Sequence, residues 1–132
     1  LRTGGCSGRG PTLGEGRGLH TPPRPGGTME MAFERLDVYQ QSLHVARWLA
    51  KQAFPRGWSD LRTQAHRASA SVVLNTAEGL SRRGKSRRYH LEIARGSAAE
   101  TLAVLALAEL PGWAEQAERL RRVDRMLERL GG

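Results

Sequence analysis

Arg67-Ala-Ser-Ala-Ser-Val-Val-Leu-Asn-Thr-Ala-Glu-Gly79, followed after a short basic interruption by Ile93-Ala-Arg-Gly-Ser-Ala-Ala-Glu100, decides the architecture. Both stretches are rich in small residues, carry helical spacing, and set polar groups where packed faces are expected. Leu61, Ala65, Ala68, Val72, Asn75 and Gly79 recur at three and four, the period of one helix face. Ser59 offers an N-cap and Asp60 a negative charge beside the positive helix end, while Gly79 or Gly84 supplies the C-cap.

The same period extends outward in both directions. Upstream, Leu36, Tyr39, Leu43, Ala46, Ala50 and Ala53 mark a first helix that Pro55 and Gly57 stop. Downstream, a third helix runs from about Ser86 to about Leu110, with Tyr89, Ile93, Gly96, Glu100, Ala103, Leu107 and Leu110 along one face. Pro111 and Gly112 end it. Trp113, Ala117, Leu120, Val123, Leu127 and Leu130 line a fourth helix that closes at Gly131. No stretch reads as a strand. Four helices with short connections predict an all-α, antiparallel up-down-up-down bundle over residues 29–132.

The third helix carries Ala94, Ala98, Ala99, Ala103, Ala106 and Ala108, which permit close approach but bury little area each. Leu102, Val104 and Leu105 fall off its stripe. A helix apolar on several faces is either central or covered by another subunit, so a homo-oligomer is expected.

Residues 1–28 differ from the rest. They are rich in Gly and Pro, set Arg2, Arg9, Arg17 and Arg24 against Glu15 alone, and show no apolar period. Such composition predicts a disordered leader. Met29 and Met31 are the first methionines, and a start there, with the leader as upstream sequence, is the expectation. The single Cys6 leaves no internal disulfide and no Cys-based metal site, which suits a reducing cytoplasm. No apolar run approaches the roughly 18 residues of a membrane span, and no apolar signal segment is visible.

The chain carries a net charge of +8 and a pI near 11.1, which directs attention to acidic partners such as nucleic acid. The excess is local. Between residues 80 and 95, Arg82, Arg83, Lys85, Arg87, Arg88 and Arg95 face only Glu92. Five of these cations lie in the connection between helices two and three and the turn after it. Guanidinium forks beside a helix N-terminus suit phosphate. Tyr89 is the only interleaved aromatic, so stacking on bases is expected to be limited. A solvated loop that keeps the protein soluble is the plain alternative. Only Lys51 and Lys85 among the 21 basic residues are lysines, a bias that GC-rich coding explains without any selection for guanidinium. On the fourth helix, Glu115–Arg119 and Glu118–Arg122 have the favourable i,i+4 order and read as a self-neutralised solvent face.

Asn75 and Glu100 fall on core stripes of neighbouring helices, where a polar group needs partners. Antiparallel packing would let Asn75, Glu78, Ser97 and Glu100 meet, together with Arg67, in a network that fixes register. A pair of carboxylates doing acid/base work is the catalytic alternative. No nucleophile, metal-ligand set or phosphate-cradling loop accompanies it, so no catalytic residue, metal or cofactor is expected.

Phe33-Glu-Arg-Leu-Asp-Val-Tyr39, Gln64-Ala-His-Arg-Ala-Ser-Ala-Ser-Val72, Asn75-Thr-Ala-Glu-Gly79 and Tyr89-His-Leu-Glu-Ile-Ala-Arg-Gly-Ser-Ala-Ala-Glu100 together resemble one small family. It comprises four-helix-bundle proteins encoded in intervening sequences of bacterial 23S ribosomal RNA genes, and the accessory variability determinant of diversity-generating retroelements. The resemblance spans about residues 33–130. It implies an antiparallel bundle assembled as a five-fold ring, a basic surface toward nucleic acid and, for the retroelement member, a reverse-transcriptase partner. The arginine-heavy 82–88 segment and the short Pro111-Gly-Trp113 link depart from the family pattern.

Three functions compete. The first is a non-enzymatic, sequence-tolerant nucleic-acid-binding oligomer that uses Arg82, Arg83, Lys85, Arg87, Arg88 and Arg95. The second is a helical ribonuclease of the HEPN type, since Arg83-Gly-Lys-Ser-Arg-Arg-Tyr-His90 places an Arg and a His at the required spacing. Otherwise His44, His66 and His90 are ordinary helix-surface histidines. The third is a structural oligomer whose basic loop meets an acidic protein surface.

Overall fold

The structure, a computed structural model, describes residues 29–131; the expected leader, with Cys6, lies outside the described residues. A 3-10 turn at Ala32–Arg35 leads into four helices, α1 Asp37–Ala50, α2 Ser59–Leu80, α3 Gly84–Ala108 and α4 Trp113–Gly131. No strand occurs among the described residues. The chain reverses at each of three links, Lys51–Trp58, Ser81–Arg83 and Glu109–Gly112, and the last two are too short for anything but an antiparallel return. Each helix packs on its chain neighbours and α1 closes against α4, with α2 and α3 sharing the most extensive contact. This is the expected four-helix bundle. The start of α1, the α2–α3 link and the end of α4 share one end; Lys51 and the other two links share the opposite end.

The inner stripes of α2 and α4 lie where the period places them. Ala65, Ala68, Val72 and Gly79 are buried from α2, and Ala117, Leu120, Val123 and Leu127 from α4. In α1 the buried face is turned by one residue. Val38, Gln41, Ser42, Val45 and Leu49 point inward, while Leu36 precedes the helix in extended backbone and Ala50 is exposed. Burying Val45 and Leu49 removes more apolar area from water than burying Ala46 and Ala50 would.

α3 departs further from its expected face. Leu91, Ala94, Ala98, Thr101, Val104 and Leu105 form its buried face. Tyr89, Gly96, Glu100, Ala103 and Leu107, expected inside, are exposed. Gly96 and Glu100 bring no apolar area, so the face with two leucines and a valine wins. Thr101 joins it at little cost because its hydroxyl donates to the Ser97 carbonyl at 2.7 Å.

Two glycines act differently from expectation. Gly79 is not a cap: α2 continues to Leu80, and a Cβ on Gly79 would stand 2.6 Å from Leu91 Cδ2 and 3.3 Å from the Arg87 carbonyl oxygen. It is the point where α2 lies directly against α3. Gly84 opens α3 rather than closing α2, with a left-handed φ of +60° that turns the chain after the three-residue link.

The α4 surface is less self-contained than its i,i+4 order implies. Arg119 pairs with Glu115 at 3.2 Å as expected, but also donates to the buried Gln41 on α1 at 2.8 Å. Glu118 pairs with Arg121, not Arg122, at 2.7 Å. On the opposite seam, Arg95 of α3 holds Asp124 at 2.8 Å and Glu128 at 3.3 Å.

A Gly79→Ala substitution forces the buried Leu91 side chain to move. Overpacking of about 1–3 kcal/mol, against about 1 kcal/mol of helix propensity, leaves a net loss of up to about 2 kcal/mol. Gly96→Ala, where a Cβ meets nothing within 4 Å, gains up to about 1 kcal/mol instead. Urea unfolding of the two variants at low protein concentration reads the opposite signs.

Candidate functional site

The α2–α3 corner gathers the basic cluster, and the structure divides it into two sets. Arg82 turns back onto Glu78 one helical turn earlier, and its other arm reaches Ser86 Oγ at 3.4 Å. This hydrogen bond, reinforced by the guanidinium charge, holds the Glu78 carboxyl below its ordinary range. Arg87 donates to the Leu130 carbonyl at 3.5 Å and so meets the negative end of α4. Arg95 lies eleven residues into α3, about 16 Å along the axis from its start, and is committed to Asp124 and Glu128. Expected in the basic surface, it instead ties α3 to α4.

Arg83, Lys85 and Arg88 form the second set. All three are exposed, and their side chains make no hydrogen bond or ion pair among the described residues. They surround the start of α3, whose N-cap residue Arg83 makes no side-chain capping bond and whose first turn holds no acidic residue. By contrast, α1, α2 and α4 carry Asp37, Asp60 and Glu115 in their first turns. The start of α3 therefore carries Arg83 at its N-cap, Lys85 in its first turn and Arg88 just beyond, with no acidic residue in that turn, an arrangement that accepts a phosphate oxygen.

Behind this corner a chain of hydrogen bonds crosses the α2–α3 seam. Asn75 Nδ2 donates to the Ser71 carbonyl and to Ser71 Oγ, both at 3.1 Å. Ser71 Oγ and Ser97 Oγ are 2.6 Å apart. Asn75 Oδ1 stands 3.0 Å from His90 Nδ1. A carbonyl oxygen only accepts, so the Ser71 carbonyl settles which way the Asn75 amide points. His90 Nδ1 must then carry the proton and donate. In the neutral ring this leaves Nε2 as an acceptor, without a partner among the described residues and not among the buried polar atoms.

The expected network is thus only partly assembled. Asn75 and Ser97 belong to one chain, but through Ser71 and His90, which the sequence reading did not include. Glu78 goes to Arg82. Arg67 and Glu100 are exposed and their side chains make no bond among the described residues, because the face of α3 that carries Glu100 looks outward. Ser71 and Asn75 are four apart on α2, and that spacing was the available signal for the first link.

A groove of about 600 Å³ runs between α3 and α4, floored by Ala98, Leu102 and Leu120 and rimmed by Arg95 and Asp124. No cluster of three or more His, Cys, Asp or Glu suited to a metal ion occurs among the described residues. None of the helices in the described residues is long and apolar enough to cross a membrane.

A model of the family described as 23S rRNA-intervening sequence protein matches residues 34–131. The chain belongs to that family. Neither a search of curated proteins nor one of solved structures returned a match. The match to the 23S rRNA-intervening sequence family takes in all four helices, the hydrogen-bonded chain from Ser97 to His90, and all three free cations of the corner.

The orientation of His90 is directly measurable. At alkaline pH, nitrogen NMR of the imidazole is expected to show the proton on Nδ1, and Asn75→Leu to leave both tautomers populated. A dominant Nε2–H form in the unaltered protein would overturn the assignment.

Proposed function

We propose that this member of the 23S rRNA-intervening sequence family is a non-enzymatic, self-assembling protein that holds the backbone of nucleic acid at its α2–α3 corner. The observation that carries this reading is the set of unpartnered cations Arg83, Lys85 and Arg88 around an α3 N-terminus without an acidic residue. Their charge is available to phosphate, whereas that of Arg82 and Arg95 is already spent on carboxylates. Contacts of this kind are sequence-tolerant and weaken steeply with salt. The family's name places its members in ribosomal RNA genes, which makes structured RNA the first ligand to try.

His90 also bears on the ribonuclease alternative. A carboxylate partner would stabilise the imidazolium that proton abstraction creates; the neutral Asn75 amide orients the ring without supplying that charge. The geometry supports recognition better than base catalysis.

Self-assembly rests on the outward face of α2 and α3. Leu74 and Leu107 are 66% and 64% exposed there, beside Ala103 and the open Gly96. Arg67 and Glu100 lie on that outward face without side-chain partners, and opposite charges on one surface make it self-complementary toward a second copy.

Replacing Arg83, Lys85 and Arg88 with Ala is expected to lower the slope of log affinity against log salt by about 2 to 3 for a duplex, with the urea midpoint unchanged. Unaltered binding in that variant would overturn the site. For assembly, Arg67→Glu is expected to dissociate the oligomer in sedimentation velocity, and adding Glu100→Arg to restore it. A wild-type chain that sediments as a monomer at micromolar concentration would overturn the assembly reading.

A further inference from the structure

We infer that the corner takes an unpaired nucleotide, whose base stacks on Tyr89 while His90 Nε2 accepts a hydrogen bond from it. This deepens the nucleic-acid reading above and rests on it. Three observations on one helical turn carry it. Tyr89 is 64% exposed, a large aromatic face left in water beside the free cations. Lys85 lies four residues earlier on the same helix face, with Cβ atoms about 5–6 Å apart. A strand that neutralises a phosphate at Lys85 therefore brings the attached base over the Tyr89 ring. His90 adjoins it, the two rings meeting edge to face at 5.2 Å between centroids.

The hydrogen-bond polarity of His90 selects the kind of nucleic acid. In the neutral ring its Nε2 is an acceptor, because Asn75 and the Ser71 carbonyl require Nδ1 to donate. Phosphate oxygens only accept and give Nε2 nothing. An unpaired nucleotide offers donors, the exocyclic amine of its Watson–Crick edge or a ribose 2′-hydroxyl. In a duplex the base faces are stacked and the pairing amines engaged, so neither Tyr89 nor the base-reading role of His90 is satisfied. The corner therefore prefers a loop, bulge or single strand, with the cations holding the backbone and the aromatic turn reading that it is unpaired.

The test is binding of the full chain, across a salt series, to an unstructured RNA of adenosine and cytidine, the DNA of the same sequence, and the corresponding RNA duplex. The single strands are expected to bind more tightly than the duplex at matched salt. Tyr89→Leu is expected to weaken single-strand binding by roughly 5- to 150-fold, the range of one base–aromatic stack. Duplex binding and the salt slope should stay unchanged, and Tyr89→Phe should bind as the wild type. A Tyr89→Leu protein that binds all three probes like the wild type would overturn this inference and leave the backbone reading standing. A wild-type protein that binds none of them even at low salt would overturn the backbone reading itself. With the urea midpoint as a folding control, loss in His90→Leu on RNA and DNA alike assigns the donor to the base. Loss on RNA alone assigns it to the 2′-hydroxyl, and no loss on either overturns the role of His90.

Discussion

The contact of Gly79 with Leu91 sets the separation of α2 and α3, and the rest of the molecule follows from that separation. A side chain at position 79 would collide with a fully buried leucine and crowd the Arg87 carbonyl. With hydrogen there, the last turn of α2 lies directly on the first turns of α3, and three residues suffice to reverse the chain. The same closeness brings Ser71 within 2.6 Å of Ser97 and Asn75 within 3.0 Å of His90. Farther along the seam, Ala68, Ala94 and Ala98 continue the approach with small side chains. A core built this way removes modest apolar area per residue, so hydrogen bonds in the seam matter more for register than they would between leucine-rich helices.

A tight reversal also crowds positive charge, and the fold relieves it selectively. Arg82 is held by Glu78, Arg87 by the end of α4, and Arg95 by Asp124 and Glu128. Each bond reaches either back one turn or across a seam, so Arg82 and Arg87 tie the corner to α2 and α4, and Arg95 ties α3 to α4 farther along. The three that remain make no ion pair among the described residues, and their mutual repulsion is a standing cost that an anion relieves. One sequence cluster thus contains two kinds of arginine, structural and unengaged, and their spacing along the chain does not tell them apart.

What was legible in the sequence follows the same physics. The stripes of α2 and α4 were readable because their inward positions are regular and their outward ones polar. In α1, Ala46 and Ala50 continued the period of Leu36 and Leu43 as well as Val45 and Leu49 continued that of Val38, and only size decided between them. In α3, two faces were almost equally apolar, so no periodicity distinguished the core from the outside; the glycine and glutamate on the Tyr89–Leu107 stripe were the discriminating residues. The basic corner was visible as composition, but which cations are free depended on partners 29 and 43 residues away, at Asp124 and Leu130. Asn75 and Ser97 were identifiable as polar groups on packed helices. Their link through Ser71 to His90 required the register of α2 on α3, which the Gly79 contact determines.

The scarcity of lysine has a use in tracing architecture. Only Lys51 and Lys85 carry side-chain amines, and the alternating helix directions place them at opposite ends of the bundle. Amine-reactive bridging reagents therefore act as a compass for subunit orientation. A Lys85–Lys85 bridge joins like ends and means that neighbouring copies stand side by side with their corners on one rim. A Lys51–Lys85 bridge joins unlike ends and means that they run antiparallel or are stacked along the bundle axis. In a side-by-side ring every corner would open on the same surface, turning one modest anion site into a circular array that a single folded nucleic acid touches several times at once.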